Sequence, residues 1–150
     1  MKKTKRPFGR YTPIQYCDKL WSIIIRAPGR CCAKEKLVNG KVHRCSGALQ
    51  AMHIEGRTCW ELRHKLFNGL PGCQGVHTYF TYRNGEWEGF VGENYPEQYG
   101  QVYPISKHMR RGAVIDYYAR ADVLRAQLRL TELGHTYSKE DQRIIEALSL

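Results

Sequence analysis

The chain has 150 residues, a length typical of one domain, and its hydrophobic fraction of 42% with ten tyrosines argues against disorder. It contains no apolar run of about eighteen residues, and its basic N-terminus lacks the apolar stretch of a signal peptide, so we expect no membrane segment and a cytoplasmic location, in a cell or in an infected host. Lysine and arginine outnumber aspartate and glutamate by 24 to 14, which favours a polyanionic partner, most simply nucleic acid.

The N-terminal part is predicted to be a flexible basic arm over residues 1–11, followed by a helix. Thr12 is typical of a helix N-cap, Pro13 of the first helical position and Gln15 of a capping box. Pro28-Gly29 is expected to end the helix. The residues that recur at helical spacing on its apolar side are Cys17, Leu20, Trp21 and Ile24.

The middle of the chain is predicted to alternate between short extended segments and turns. Asn39-Gly40 favours a type I′ hairpin, and a second extended segment runs over 48–54. Residues 55–67 are polar and basic and are expected to form a loop with a helical turn. Residues 69–75 hold Pro71 and three glycines, which predicts another tight turn.

The remainder is predicted to be helical. A short helix is expected from about Val76 to Arg83 and is broken by Asn84-Gly85; an amphipathic segment with Trp87, Phe90 and Val91 follows and ends at Tyr95-Pro96. A mostly apolar stripe then predicts a longer helix that ends near Gly134, and Ser138 caps a last helix with Ile144, Ile145 and Leu148 on its apolar side. The stripe consists of Ile115, Tyr118, Ala119, Val123, Ala126, Gln127 and Leu130.

Three polar residues within 49–83 are of the types that phosphodiester hydrolysis needs. A neutral histidine can act as a base near pH 7, and a second histidine near a helix start can hold a divalent metal. An asparagine between them can fix the geometry of the base. His53, Asn68 and His77 suit these roles, although a hydrogen-bonded strand histidine and an Asn-Gly turn are also common structural features.

Five segments follow one another in the order "LWSIIIRAPGRC", "LQAMHI", "NGLPGC", "GEWEGFV" and "YPEQY", with His77 between the third and the fourth. This order resembles that of the HNH endonucleases, the ββα-metal nucleases, and in particular of their small phage-encoded members. In that family the first segment leads into a zinc knuckle and the second is the strand that carries the catalytic histidine. The resemblance covers about residues 17–100.

The resemblance implies an α+β fold with a treble-clef-like ββα-metal core, a two-stranded hairpin followed by a helix, between flanking helices. It implies a nuclease domain over 12–100 and a helical extension over 101–150 packed on it. His53 would be the general base that activates water, Asn68 would orient it by holding the intervening loop, and His77 would bind catalytic Mg²⁺ or Mn²⁺. Arg57 and Arg63 would contact phosphate of the DNA substrate, although a solvated basic loop would have the same composition.

The sequence departs from the family pattern at the expected metal ligands. Met52 stands where most members have an Asp or a His directly before the base, and a thioether is a poor ligand for magnesium. Thr81 stands one helical turn after His77, where a further ligand is often found. The amide oxygen of Gln50, on the strand face of Met52, could contribute; otherwise substrate phosphate and water would hold the metal.

The two zinc knuckles are each half present. Lys34 and Val76 stand where the second cysteines would follow Cys31 and Cys73. Zinc accepts mixed thiolate and imidazole ligands in a tetrahedral arrangement. The candidate ligands of a rebuilt site are Cys31, Cys45, Cys73 and either Cys32 or His43. Loss of the zinc, with the core held by packing, is the alternative.

The sequence thus favours a metal-dependent HNH endonuclease that hydrolyses DNA. A catalytically degenerate DNA-binding or regulatory protein on the same scaffold is the main alternative, and Met52 and Thr81 motivate it. A structural zinc protein that binds another protein is a third reading, which the basic charge disfavours. The sequence carries no prediction of the oligomeric state.

Overall fold

The computed structural model describes residues 8–107 and 115–132. The predictions that concern residues 1–7, Gly134 and the last helix after Ser138 lie outside this part of the chain. The elements form an α+β arrangement, as expected. They are α1 (Pro13–Arg26), β1 (Leu37–Val38), β2 (Lys41–Val42), β3 (Leu49–His53), a 3-10 helix (Leu66–Asn68), β4 (Gly69–Cys73), α2 (Gln74–Phe80), α3 (Asn84–Asn94), α4 (Pro96–Lys107) and α5 (Tyr117–Glu132).

The start of α1 confirms the capping box. The Gln15 backbone N–H donates to Thr12 Oγ1 at 3.2 Å, and the Thr12 backbone N–H donates to Gln15 Oε1 at 3.1 Å. Pro13 occupies the first turn, and the helix ends just before Pro28-Gly29. The end of the predicted arm is part of the fold, because Phe8 is buried against the Tyr16 ring.

The Asn39-Gly40 hairpin is also confirmed. Leu37 pairs with Val42 and Val38 pairs with Lys41, which leaves a two-residue turn between β1 and β2. Asn39 and Gly40 both have positive φ, 52° and 71°, as a type I′ turn requires.

The tight turn predicted for 69–75 is wrong, because Gly69–Cys73 form β4. This strand pairs antiparallel with β3 from Leu49 opposite Cys73 to His53 opposite Gly69. Its glycines serve close packing and not chain reversal: a Cβ at Gly69 would lie 2.6 Å from Trp21 and Ile25 side-chain atoms, and one at Gly72 would overlap Met52 Sδ. The strand is therefore pressed between side chains on both faces.

Asn84-Gly85 was predicted to break the chain between a helix and the amphipathic segment, but the break lies at residues 81–83 and the pair begins α3. α2 ends at Phe80, three residues before the predicted end at Arg83. Short polar residues suit the first turn of a helix as well as a turn, so the pair did not distinguish the two. The amphipathic segment is confirmed, since Trp87, Phe90 and Val91 are its buried residues.

The β3–β4 sheet lies between two clusters of apolar side chains. On one side, Ala51 packs against the cluster formed by α1 and α5. On the other side, Met52 and Leu70 pack with side chains of α2 and α3, among them Val76 and Phe80. Adjacent strand residues point to opposite faces, so Ala51 and Met52 enter different clusters.

The apolar stripe predicted for the C-terminal helix is not the buried face of α5. Tyr118, Val123 and Leu130 are 55%, 57% and 73% exposed. The face on α1 is formed by Ala121, Leu124 and Leu128. This face consists of two leucines and an alanine, so it has fewer large apolar residues than the predicted stripe.

α4 runs through the boundary predicted at residue 100. Its Gln98 side-chain amide donates to the backbone carbonyls of Phe67 and Gly69, at 3.0 and 3.1 Å. The helix therefore holds the segment around Asn68 from outside the sheet. In the described part of the chain, no helix is both long enough and apolar enough to cross a bilayer.

Candidate active site and metal centre

His53 and His77 line the same cavity, which has a volume of about 300 Å³. His53 ends β3, and His77 lies in the short helix α2 that follows β4. The antiparallel pairing of β3 with β4 brings the two residues together across 24 positions of sequence. The lining consists of Ala51, Met52, His53, Ile54, Gly56, Arg57, His77, Phe80, Thr81, Asn84 and Trp87.

The His53 ring is held in one orientation. Its Nε2 lies 2.9 Å from the Arg63 carbonyl oxygen, and the ring stacks on Trp21 with centroids 4.0 Å apart and planes 10° apart. Because a carbonyl oxygen only accepts, Nε2 carries the proton and Nδ1 is left as the unprotonated nitrogen of the neutral ring. Sequence analysis identified His53 but not Trp21 as its support.

Burial keeps His53 neutral. Removal from water disfavours the imidazolium and lowers the pKa of His53 to about 4, although the Arg63 carbonyl opposes this shift. The positive charge of Arg57 adds to the lowering. The ring is therefore unprotonated throughout the neutral pH range, which is the state that a general base requires.

Asn68 acts on the loop and does not line the cavity. Its side chain is fully buried and accepts from the Glu55 backbone N–H at 2.8 Å. The same side chain donates to the carbonyls of Glu55 and Leu62, at 3.1 and 3.0 Å. It thus ties together both sides of the loop between β3 and the 3-10 helix, and this loop contains the Arg63 carbonyl that contacts His53.

Arg63 points to α1 and not to a phosphate-binding surface. Its guanidinium donates to both carboxylate oxygens of Asp18, at 2.9 and 2.7 Å, and its side chain is 17% exposed. This ion pair anchors the residue whose carbonyl holds His53. Of the two arginines predicted to contact phosphate, Arg57 alone lines the cavity.

Asp18 is a residue that sequence analysis missed. Burial would raise the pKa of Asp18, but hydrogen bonds from His64 and Arg63 outweigh it and lower the pKa to about 2. The His64 Nε2 donates to Asp18 Oδ1 at 2.7 Å, and His64 is itself buried. One signal was available: Asp18 is the only carboxylate among the first 34 residues of this basic chain.

The His77 ring is oriented by Gln50. Its Nδ1 lies 2.5 Å from Gln50 Oε1, and because an amide oxygen only accepts, Nδ1 carries the proton. The lone pair of Nε2 is then the one available to a metal, as in many histidine ligands whose other nitrogen is hydrogen-bonded. Burial, followed by the charge of Arg57, lowers the pKa of His77. Gln50 therefore orients the ring of His77, the candidate ligand, and its own amide oxygen is occupied by that contact.

The other residues that were predicted to lie near the catalytic metal provide few suitable ligand atoms. Met52 is 3% exposed and packs in the apolar cluster, while the Thr81 hydroxyl donates to the His77 carbonyl at 2.6 Å. No Asp or Glu occurs in the lining of this cavity among the described residues. Asn84 is the lining residue with a side-chain carbonyl oxygen. The donor set therefore fits a divalent metal only if phosphate or water completes its coordination.

A separate group of side chains could hold a metal such as zinc. The ligand atoms of Cys31, His43, Cys45 and Cys73 all lie within 4.8 Å of one another. This set is chemically suited to tetrahedral zinc. Of the two residues considered for the fourth position, His43 belongs to the group and Cys32 does not.

Cys73 connects the cluster to α2. As the N-cap residue, its Sγ accepts from the Val76 backbone N–H at 3.5 Å, and it lies 3.1 Å from His43 Nε2. Burial would raise the pKa of Cys73, but these and other hydrogen bonds lower it to about 6. The thiolate, which is the form that binds metal, is therefore favoured at this position.

Comparisons with protein-family models, with curated proteins and with solved structures found no match for this chain. The functional assignment therefore depends on the chemistry of the cavity and of the cysteine cluster.

Proposed function

We propose that this protein is a metal-dependent endonuclease of the HNH type, which hydrolyses phosphodiester bonds in DNA. The observation that carries the proposal is one cavity lined by His53, His77 and Arg57, with each imidazole held by a hydrogen bond that leaves one nitrogen unprotonated. A base, a metal ligand and a fixed positive charge are the groups that phosphodiester hydrolysis needs.

In this proposal His53 Nδ1 takes the proton from the attacking water. The Arg63 carbonyl keeps the Nε2 proton in place, so the accepting nitrogen faces one direction. Stacking on Trp21 prevents the ring from turning away. Asn68 and Asp18 are positioning residues, because they hold the loop and the arginine that supply this carbonyl.

His77 Nε2 would hold Mg²⁺ or Mn²⁺, and the metal would stabilise the charge on the phosphate and on the leaving oxygen. Arg57 adds positive charge at the same cavity and would attract the phosphate. The protein supplies one imidazole and the Asn84 amide but no carboxylate among the described lining residues. Productive metal binding is therefore expected to require the DNA.

A DNA-binding protein that no longer cleaves is the second candidate. The absence of a carboxylate from the described cavity lining and the burial of Met52 favour it. Such a protein would have the same basic charge and fold but would not bind a catalytic metal. The two candidates differ in whether strand cleavage occurs, and not in whether DNA binds.

A plasmid nicking assay distinguishes them. The intact chain is incubated with supercoiled DNA and Mg²⁺, Mn²⁺ or neither, beside His53→Ala purified in the same way. The nuclease proposal expects metal-dependent nicking that His53→Ala abolishes while DNA binding persists. DNA binding without nicking in any metal would support the second candidate and exclude the nuclease.

A further inference from the structure

The loop between β3 and the 3-10 helix is held largely by side chains of other elements. The Lys65 carbonyl accepts from the Trp21 indole N–H at 3.0 Å, and the Arg63 carbonyl contacts His53 Nε2 at 2.9 Å. An irregular segment has no regular ladder of backbone hydrogen bonds to set its path, so side-chain donors decide where its carbonyls point. The donors on this loop therefore influence the geometry around His53.

Arg120 of α5 supplies the donors on both sides of Arg63. Its guanidinium donates to the Trp60 carbonyl at 2.8 Å and to the Glu61 carbonyl at 3.3 Å. The same group lies 3.3 Å from His64 Nδ1. Arg120 is half-buried and does not belong to the lining of the His53 cavity. One side chain of the C-terminal helix thus contacts the loop at positions 60, 61 and 64.

Arg120 also determines which nitrogen of His64 carries the proton. A guanidinium only donates, so His64 Nδ1 accepts from it and Nε2 donates to Asp18 Oδ1 at 2.7 Å. Burial lowers the pKa of His64, and the charge of Arg120 adds to this effect, although Asp18 opposes it. The neutral ring is therefore favoured. Asp18 in turn holds the guanidinium of Arg63 through both of its carboxylate oxygens.

We propose that Arg120 is a positioning residue for His53, because it holds the loop on both sides of the carbonyl that keeps the His53 Nε2 proton in place. The helix α5 is then part of the site, although none of its described residues lines the cavity. Packing of Ala121 and Leu124 on α1 brings Arg120 to the loop. The effect on the geometry of His53 stands by itself, whereas its consequence for cleavage rests on the proposed function.

Arg125 provides a matched control on the same helix. It is also half-buried, and its guanidinium lies over the Tyr16 ring as that of Arg120 lies over the Tyr117 ring. Its hydrogen bonds go to the Tyr16 hydroxyl and to Asp122, and not to the loop. Arg120→Met and Arg125→Met each remove one guanidinium and keep an unbranched apolar stem. The two variants differ in whether the contacts to the loop are lost.

The first measurement does not depend on activity. Two-bond ¹H–¹⁵N correlation spectra of the labelled protein at pH 7 show which ring nitrogen carries the proton, and His53→Ala assigns the signals of His53. We expect the parent and Arg125→Met to have His53 in a single neutral tautomer with the proton on Nε2. In Arg120→Met we expect both neutral tautomers and exchange of this proton roughly tenfold faster, as the loss of about one hydrogen bond would give.

Arg120→Lys is the second variant, because it keeps the charge and a donor but not the forked geometry. Its His53 spectrum should be intermediate between those of the parent and Arg120→Met. Circular dichroism and denaturant unfolding establish that each variant is folded under the conditions of the spectra. If Arg120→Met does not fold, the comparison with Arg125→Met is made with Arg120→Lys.

The second measurement is steady-state plasmid nicking in Mn²⁺. Arg120→Met is expected to lower kcat roughly tenfold and to leave KM unchanged, because a small displacement of a catalytic group slows the chemical step without removing a contact to DNA. Arg125→Met should change neither constant. A simple loss of stability would not separate kcat from KM in this way while the protein remains folded.

An unchanged His53 spectrum in the Arg120 variant would overturn the inference. An equal change in Arg125→Met would do the same, since packing of α5 in general would then be the cause. Nicking separates this result from the proposed function. An altered His53 spectrum without nicking by the parent refutes the nuclease and supports the positioning of His53 by Arg120, whereas parental nicking that Arg120→Met leaves unchanged refutes the positioning role alone.

Discussion

The orientation of His53 depends on its contacts with other residues more than on its position in β3. The Arg63 carbonyl, the Trp21 ring and the Trp87 indole N–H, which donates to the His53 carbonyl at 3.0 Å, hold the residue from three directions. The sequence pattern pointed to His53 as a candidate, because the residue types at positions 53, 68 and 77 and their order along the chain are visible in the sequence. It did not reveal Trp21 or Asp18, because their roles depend on the packing of α1 against the sheet.

The proposed nuclease activity should depend on pH through the lowered pKa of His53. With a pKa of about 4, the base is unprotonated at neutral pH, and its protonation reduces activity only as the pH falls toward 4. We expect kcat/KM for nicking to show no loss due to His53 between about pH 6 and 8. A pH–rate profile measures this. An acid limb near the ordinary histidine value, about 6.5, would contradict the burial of the ring.

Asp18→Asn tests the anchoring of Arg63. The change weakens a partly buried, bidentate ion pair, so we expect a loss of about 1–3 kcal/mol in the free energy of unfolding at pH 7. If the Arg63 carbonyl then shifts, kcat for nicking falls while KM changes little. Denaturant unfolding and steady-state nicking provide the two readouts.

Asp122→Asn is the matched control for Asp18→Asn, because Asp122 pairs with Arg125 at a side chain that is 75% exposed. It should change neither measurement appreciably.

The stabilisation that Asp18 provides is also lost at acid pH. Its folded pKa of about 2 lies below the ordinary value, so the contribution is present above about pH 4 and is lost as the pH falls toward 2. An Asp18→Asn protein as stable and active as the parent would exclude the anchoring role.

At the scale of elements, local signals predicted α1 and the Asn39-Gly40 turn because a few neighbouring residues decide them. The β4 strand was missed because its Gly69, Pro71 and Gly72 have the composition of a turn. Tertiary packing explains the two glycines, since Trp21, Ile25 and Met52 occupy the space that larger side chains at Gly69 and Gly72 would need. The face of α5 was misassigned for a similar reason: counting apolar residues favoured the exposed side.

The assignment of α5 can be tested by two substitutions in adjacent positions. Leu124 is 1% exposed and packs on α1, whereas Val123 is 57% exposed. We expect Leu124→Ala to lower the free energy of unfolding by about 2–4 kcal/mol and Val123→Ala to change it by less than about 0.5 kcal/mol. Chemical denaturation measures both, and comparable losses would show that α5 packs through a different face.

On the scale of the whole molecule, the cysteine cluster joins parts of the chain that short strands alone would hold weakly. The segments that contain Cys31, His43, Cys45 and Cys73 meet where the hairpin, β3–β4 and α2 come together. The half-knuckles predicted Cys31 and Cys73, the position of Cys45 after the Asn39-Gly40 hairpin suggested it as the third, and the fourth was left open between Cys32 and His43. The structure places His43, and not Cys32, in this group, and that placement depends on tertiary packing of the hairpin and not on a local pattern.

Metal removal is expected to destabilise the protein. Cys45 is exposed, so Cys45→Ser removes a ligand with little loss of packing. We expect one zinc per parent chain by metal analysis, less in Cys45→Ser, and a lower Tm in the variant. After chelation the parent and the variant should have the same Tm, because the ligand then has no metal to hold. Equal zinc content in the two proteins would remove Cys45 from the site.

In the proposed nuclease, His53 and His77 act together at one cavity. The most direct measurement is the single-turnover rate of plasmid nicking in Mn²⁺ for the parent, His53→Ala, His77→Ala and the double variant. We predict that each single change removes most of the activity and that the double variant is no slower than either, because the two groups act as a unit. Nicking at the parental rate by either single variant, or losses that multiply in the double variant, would contradict it.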